Sequence, residues 1–86
     1  MASRTSEEIT RALLGFVNGE IMAAGHAIGP DVALDAAGVD SMALLKVLLF
    51  VEREFGFWIP DEDLVTANVA TAGDLGRYVA ARLAGG

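Results

Sequence analysis

Leu44, Leu48, Val51 and Phe55 step along the chain by four, three and four residues, the spacing of one apolar stripe on an α-helix. This segment narrows the possible folds more than any other. Met42, Leu45, Val47, Leu49 and Phe50 spread apolar character around its remaining faces. A helix that is apolar all round is either deeply buried or meets a partner. In a chain of 86 residues it cannot be fully enclosed, so part of its surface is expected to dock something. The helix is expected from Ser41 to about Phe55, and Gly38-Val39-Asp40-Ser41-Met42 marks its start. Ser41 can cap the free N–H groups there, and Asp40 adds charge complementary to the positive end of the dipole.

The rest of the chain also reads as helix and loop, with nothing arguing for a sheet. Thr5 to Glu8 has capping-box spacing and opens a first helix, followed by Ile9, Leu13, Phe16, Val17 and Ile21 on one face. Gly25 is the expected stop. From His26 to Asp40 the chain carries Gly29-Pro30, Gly38 and three aspartates without clear periodicity. It reads as a long loop pinned to the core by Leu34, and long loops are often functional. Pro60 disfavours helix at Ile59, and Asp61-Glu62-Asp63 suits the first turn of a short third helix. Thr71-Ala72-Gly73-Asp74 caps a fourth, with Leu75, Tyr78, Val79 and Leu83 inward and Gly85-Gly86 ending it. The expected fold is all-α, a four-helix bundle with a long loop between helices 1 and 2 and a short third helix.

Composition excludes several functions. The chain is 53% hydrophobic and 21% charged, enough to bury a core, and its 86 residues leave no room for a second. It has no cysteine, hence no disulfide and no protein thiolate for metal binding or nucleophilic attack. Six basic against twelve acidic side chains give a net charge of −6, the wrong sign for nucleic acid and a fit to basic patches on proteins. The uninterrupted apolar run Val47–Val51 is five residues long, whereas a bilayer span requires about 20. The first residues lack the apolar core of a secretory signal. A cytoplasmic monomer with no membrane partner is expected.

Asp40-Ser41-Met42 alone is a weak motif. Followed by Glu52-x-x-Phe55-Gly56 and by Ile59-Pro60-Asp61-Glu62-Asp63-Leu64, it becomes specific. Together these resemble the acyl and peptidyl carrier proteins, whose motif serine bears 4′-phosphopantetheine. The resemblance spans roughly Leu34 to Leu83, with weaker agreement over the first helix. It implies that Ser41 is the attachment residue, with Asp40 supporting it. A phosphopantetheinyl transferase would bring coenzyme A and Mg²⁺, and the Ser41 hydroxyl would attack the β-phosphate. The arm's thiol would then hold an acyl or aminoacyl thioester. An adenylating enzyme or acyltransferase would load it, and downstream biosynthetic enzymes would draw on it. A helix N-terminus is a ready anion site, in keeping with a phosphate on Ser41.

The carrier so implied is not itself an enzyme. Met42, Lys46 and Leu49 follow Ser41 at helical spacing, with Ala43 beside them, and are the expected partner-binding residues. Ala43 and Lys46 stand where fatty-acid-type carriers commonly place acidic side chains. The resemblance therefore leans towards discrete carriers of polyketide or nonribosomal-peptide pathways. Since the chain starts at Met1 and ends soon after the fourth helix, a free-standing single domain over residues 1–86 is expected, with a helical core at about 5–84.

Each of these residues also has a plainer reading. Ser41 taken alone is an ordinary N-cap, Asp40 a dipole partner, Gly38 a turn with positive φ, and Met42 a contact for the loop. The competing function is a helical protein-interaction module without a prosthetic group. A serine hydrolase lacks support: His26 is a lone loop histidine, and there is no Gly-x-Ser-x-Gly elbow. Asp61-Glu62-Asp63 lacks the ligand spacing and central glycine of an EF-hand loop. Phe57 and Trp58 are expected to shield one end of the bundle, with one of them partly exposed.

Overall fold

The computed structural model describes residues 4–85. Its helices are α1 (Ser6–Phe16), continued by a π-helical turn Val17–Ile21, α2 (Ser41–Phe55), α3 (Thr66–Val69) and α4 (Ala72–Gly85). No strand occurs among the described residues. This is the expected all-α bundle with a long first loop and a short third helix. Among the described residues no helix is long and apolar enough to cross a membrane.

Local chemistry sets the helix starts. Thr5 and Glu8 close the capping box, the Glu8 N–H donating to Thr5 Oγ1 at 3.1 Å and the Thr5 N–H to Glu8 Oε1 at 2.8 Å. The Asp74 N–H donates to Thr71 Oγ1 at 3.0 Å, capping α4. At the far end of α2, Gly56 takes the left-handed conformation with φ +86° and donates its N–H to the Glu52 carbonyl.

The core joins Ile9, Leu13 and Val17 of the first helix to Val47, Leu48 and Val51 of α2, Ile59, and Leu75 and Val79 of α4. Phe16 and Phe50 stack beside it with ring centroids 4.6 Å apart. Of the expected α2 stripe, Leu48 and Val51 are buried, whereas Leu44 and Phe55 are only half-buried. They lie in the end turns, where neighbouring helices cover less. Val47, expected on an outer face, is 1% exposed: it borders the stripe, about 40° beyond Val51, and in mid-helix the buried arc is wide enough to include it.

Two expectations need correction. The first helix ends at Ile21 and not at Gly25. There the Met22 N–H reaches the Val17 carbonyl at 2.9 Å, and Met22 is extended. The Asn18 amide then clamps the returning chain, accepting the Ile28 N–H at 2.8 Å and donating to the Ile28 carbonyl at 3.1 Å. Asp61–Asp63 do not open α3 either; they form a separate 3₁₀ turn. Its last residue is held from two sides. The Asp63 carboxylate accepts the Tyr78 hydroxyl at 2.5 Å and lies 3.6 Å from Arg82, while its carbonyl accepts Asn68 Nδ2–H. Burial, and after it the Asp63 carboxylate, push the Tyr78 hydroxyl above its ordinary pKa.

The long loop crosses the α3–α4 corner, and two backbone bonds fasten it there. Leu34, 4% exposed, donates its N–H to the Ala70 carbonyl at 2.8 Å, as its expected pinning role requires. The Gly73 N–H donates to the Pro30 carbonyl at 2.9 Å. The loop therefore delivers the chain to the head of α2 from a fixed base.

Candidate functional site

Gly38 turns the chain into α2. Its φ of +97° is one that glycine adopts without steric cost. Val39 follows, buried, and its N–H donates to the Leu34 carbonyl at 2.9 Å. Anchored this way, Asp40 is extended and becomes the N-cap: its Oδ1 accepts the Ala43 N–H at 2.9 Å, and its carbonyl accepts the Leu44 N–H at 2.8 Å.

This corrects the expected capping role of Ser41. Ser41 is the first helical residue, one position too late to cap, and its side chain is exposed. The Ser41 hydroxyl makes no hydrogen bond with any of the described residues' side chains or backbone. The cap is thus Asp40's work, and the hydroxyl is left for other chemistry. Replacing Asp40 with alanine should cost about 1 kcal/mol of stability, the usual loss for an N-cap, whereas Ser41→Ala should cost far less. Urea unfolding of the two variants side by side would check the ordering.

From Ser41, a helical step of about 100° per residue places Leu45 about 40°, Leu49 about 80° and Met42 about 100° round the axis. Met42 is 69% exposed, Leu45 43% and Leu49 46%. These three form one bare apolar strip running down α2 from the serine. Lys46 and Arg53 border it on the side towards α1, both exposed, and Glu52 is exposed on the serine's side. Of the expected partner-binding residues, Met42, Lys46 and Leu49 therefore share this face. Ala43 stands apart, half-buried and with its N–H in the cap. Leu45 was not among the expected set, although its spacing of three after Met42 and four before Leu49 carries the signal.

Behind the head of α2, Val39, Leu44 and Val69 help line a cleft of about 180 Å³ between the loop and α3. His26 lies exposed in the long loop. Among the described residues no group of three His, Asp or Glu side chains could hold a metal ion. Trp58 is the more exposed of the two end aromatics, at 42%, and Phe57 is half-buried beneath the Arg82 guanidinium.

What remains at the site is an exposed primary hydroxyl at a helix N-terminus, which can be esterified without disturbing the cap. A family model described as the phosphopantetheine attachment site matches residues 11–79. The acyl carrier protein of Renibacterium salmoninarum is 34% identical over 77 residues, covering 88% of this chain and 93% of that one. The mitochondrial acyl carrier protein of Dictyostelium discoideum is 34% identical over 61 residues, covering 71% and 51%. Among solved structures, a chain in the complex of Bradyrhizobium japonicum glycine:[carrier protein] ligase with its cognate carrier protein and a glycyl adenylate analogue is similar. It superposes with a TM-score of 0.65 at 28% identity, over 86% of this chain and 94% of that one.

This chain belongs to the phosphopantetheine-binding acyl carrier protein family. Its role is that of a carrier, and its prosthetic group is a covalently attached 4′-phosphopantetheine. The competing module without a prosthetic group is set aside by that membership.

Proposed function

We propose that Ser41 bears the phosphopantetheine arm and that the chain presents acyl or aminoacyl thioesters to the enzymes of a polyketide or nonribosomal-peptide pathway in the cytoplasm. The observation that carries this reading is the division of labour at the head of α2. Asp40 holds the cap, so the Ser41 hydroxyl is exposed and uncommitted. Esterification there sets a phosphodiester against the positive end of α2, where first-turn N–H groups favour an anion.

The chain's residues divide the work as follows. The Ser41 oxygen forms the bond to phosphorus as the pyrophosphate link of coenzyme A breaks and adenosine 3′,5′-bisphosphate leaves. The hydroxyl proton passes to a base on the transferase, so this chain needs no catalytic constellation of its own. Asp40 keeps the first turn wound and its own carboxylate turned into the cap. When bound, the arm supplies a thiol that holds the cargo as a thioester. Met42, Leu45 and Leu49 run down α2 beside the serine's face and give the transferase, the loading enzyme and downstream enzymes a common apolar surface to grip. One carrier domain over residues 1–86 performs this role.

The similarity to a carrier chain solved with a glycine ligase supports an aminoacyl cargo and an adenylating loading enzyme. Lys46 on the docking face supports partners other than those of fatty-acid-type carriers. Intact mass of the protein purified from its native host is the test. It should show the chain plus one phosphopantetheine, with a further fraction heavier by an acyl or aminoacyl group. A chain isolated only without the arm, and not modified by a transferase of the same host, would contradict the reading.

A further inference from the structure

The cations of this acidic chain are not used alike. Arg4 pairs with Glu54 at 3.4 Å, Arg82 lies 3.6 Å from Asp63, and Arg77 pairs with Asp74. Among the described residues three cations make no ion pair, although the chain's net charge is −6: Arg11, which lines a separate cleft with Glu7 and Asp31, and, on α2, Lys46 and Arg53. Both line the same groove, a space of about 280 Å³ between the end of the first helix and the edge of α2. Its other walls are Phe16, Phe50, Leu49 and Glu20. Phe16 and Phe50 are the stacked pair, half-buried, so the groove has an aromatic floor. Glu20 is on the rim, exposed, and pairs with neither cation among the described residues. Two cations against one carboxylate leave the rim positive, and Leu49 joins it to the exposed strip of α2.

We propose that this groove receives an acidic, apolar protrusion of the enzyme that docks on the α2 face, in which a glutamate or aspartate adjoins a leucine or phenylalanine. The inference rests on the reading that α2 meets the enzymes acting on the arm, and it names their chemistry. The apolar side chain lies on the Phe16–Phe50 stack, and the carboxylate sits between Lys46 and Arg53. Those two are seven residues apart, so they lie on nearly the same side of α2, about 10 Å apart along its axis. Exposed charge pairs add little affinity, yet they select partners by sign and fix register. The groove therefore gives the carrier discrimination that the apolar strip alone lacks.

Backbone-amide NMR of the unmodified protein, titrated with three acetylated and amidated tripeptides, tests this. Leu-Phe-Glu should shift the Lys46, Leu49, Phe50 and Arg53 amides saturably, and should bind about five-fold tighter than Leu-Phe-Gln or Leu-Phe-Lys. In the doubly reversed Lys46→Glu/Arg53→Glu protein the Lys peptide should become the preferred one. The milder Lys46→Gln/Arg53→Gln protein, in which Glu20 keeps its charge, should lose the preference for the Glu peptide, with circular dichroism confirming the fold of both. Equal binding of the three peptides to the wild type, shifts centred on Arg11 instead, or no saturable binding would overturn the proposal. Concentration-dependent shifts at these residues without peptide would also overturn it, by making a second copy of the chain the occupant. Because the arm is absent from the experiment, failure here is distinguishable from failure of Ser41 to accept it.

Discussion

Gly76→Val is expected to lower the stability of the bundle by about 3 kcal/mol, the upper end of what overpacking usually costs. Gly76 lies where α4 crosses α1. A Cβ there would stand 2.0 Å from Thr10 Oγ1, and 3.1 Å from both Thr10 Cβ and the Ser6 carbonyl oxygen. Rotating Thr10 moves the hydroxyl but not its Cβ, and the Ser6 oxygen belongs to helical backbone. The two helices must separate to admit the side chain, opening the contact between Ile9, Leu13, Leu75 and Val79. Helix propensity argues the other way, since valine is a slightly better helix former than glycine. The sign of the effect therefore tells packing from propensity. Thermal unfolding followed by circular dichroism should show a drop of roughly 10–20 °C for a domain of this size. Gly15→Ala, on the exposed side of α1 with nothing within 4 Å of the new Cβ, should instead stabilise by up to about 1 kcal/mol. An unchanged melting temperature for Gly76→Val would mean that α1 and α4 do not meet this closely.

Where a boundary is written by neighbouring residues, the sequence alone was enough to find it. Helix α2 begins after Asp40 and ends before Gly56, and the Thr5–Glu8 box opens α1, because each cap is a bond within four residues. The failures share the opposite property. The π-helical turn at Val17–Ile21 is accompanied by the Asn18 clamp on Ile28, ten residues on, and nothing local marks that pairing. Asp63 closes a separate turn because Tyr78 and Arg82 hold its side chain from another helix. At the site, Asp40 and Ser41 are both good capping residues and adjacent, so type could not choose between them. The choice is made by Gly38 and the buried Val39, which set the register at which the chain becomes helical. The groove between Lys46 and Arg53 has no sequence signature, since Phe16 and Glu20 reach it from a different helix.

Ser41→Ala is expected to abolish modification altogether while leaving the fold in place. The side chain is exposed and outside the cap, so its removal should change stability by no more than about 0.5 kcal/mol, the range of ordinary surface substitutions. The functional loss has no such bound: without the oxygen there is no phosphodiester, and every later thioester step fails with it. The most direct measurement is intact mass after incubation with coenzyme A, Mg²⁺ and a broad-specificity phosphopantetheinyl transferase. The wild-type chain should gain one phosphopantetheine, and the Ser41→Ala chain, equally folded by circular dichroism, should gain none. A variant that still gains the arm would move the attachment to another residue, and a wild type left unmodified by several such transferases would contradict the carrier assignment at Ser41.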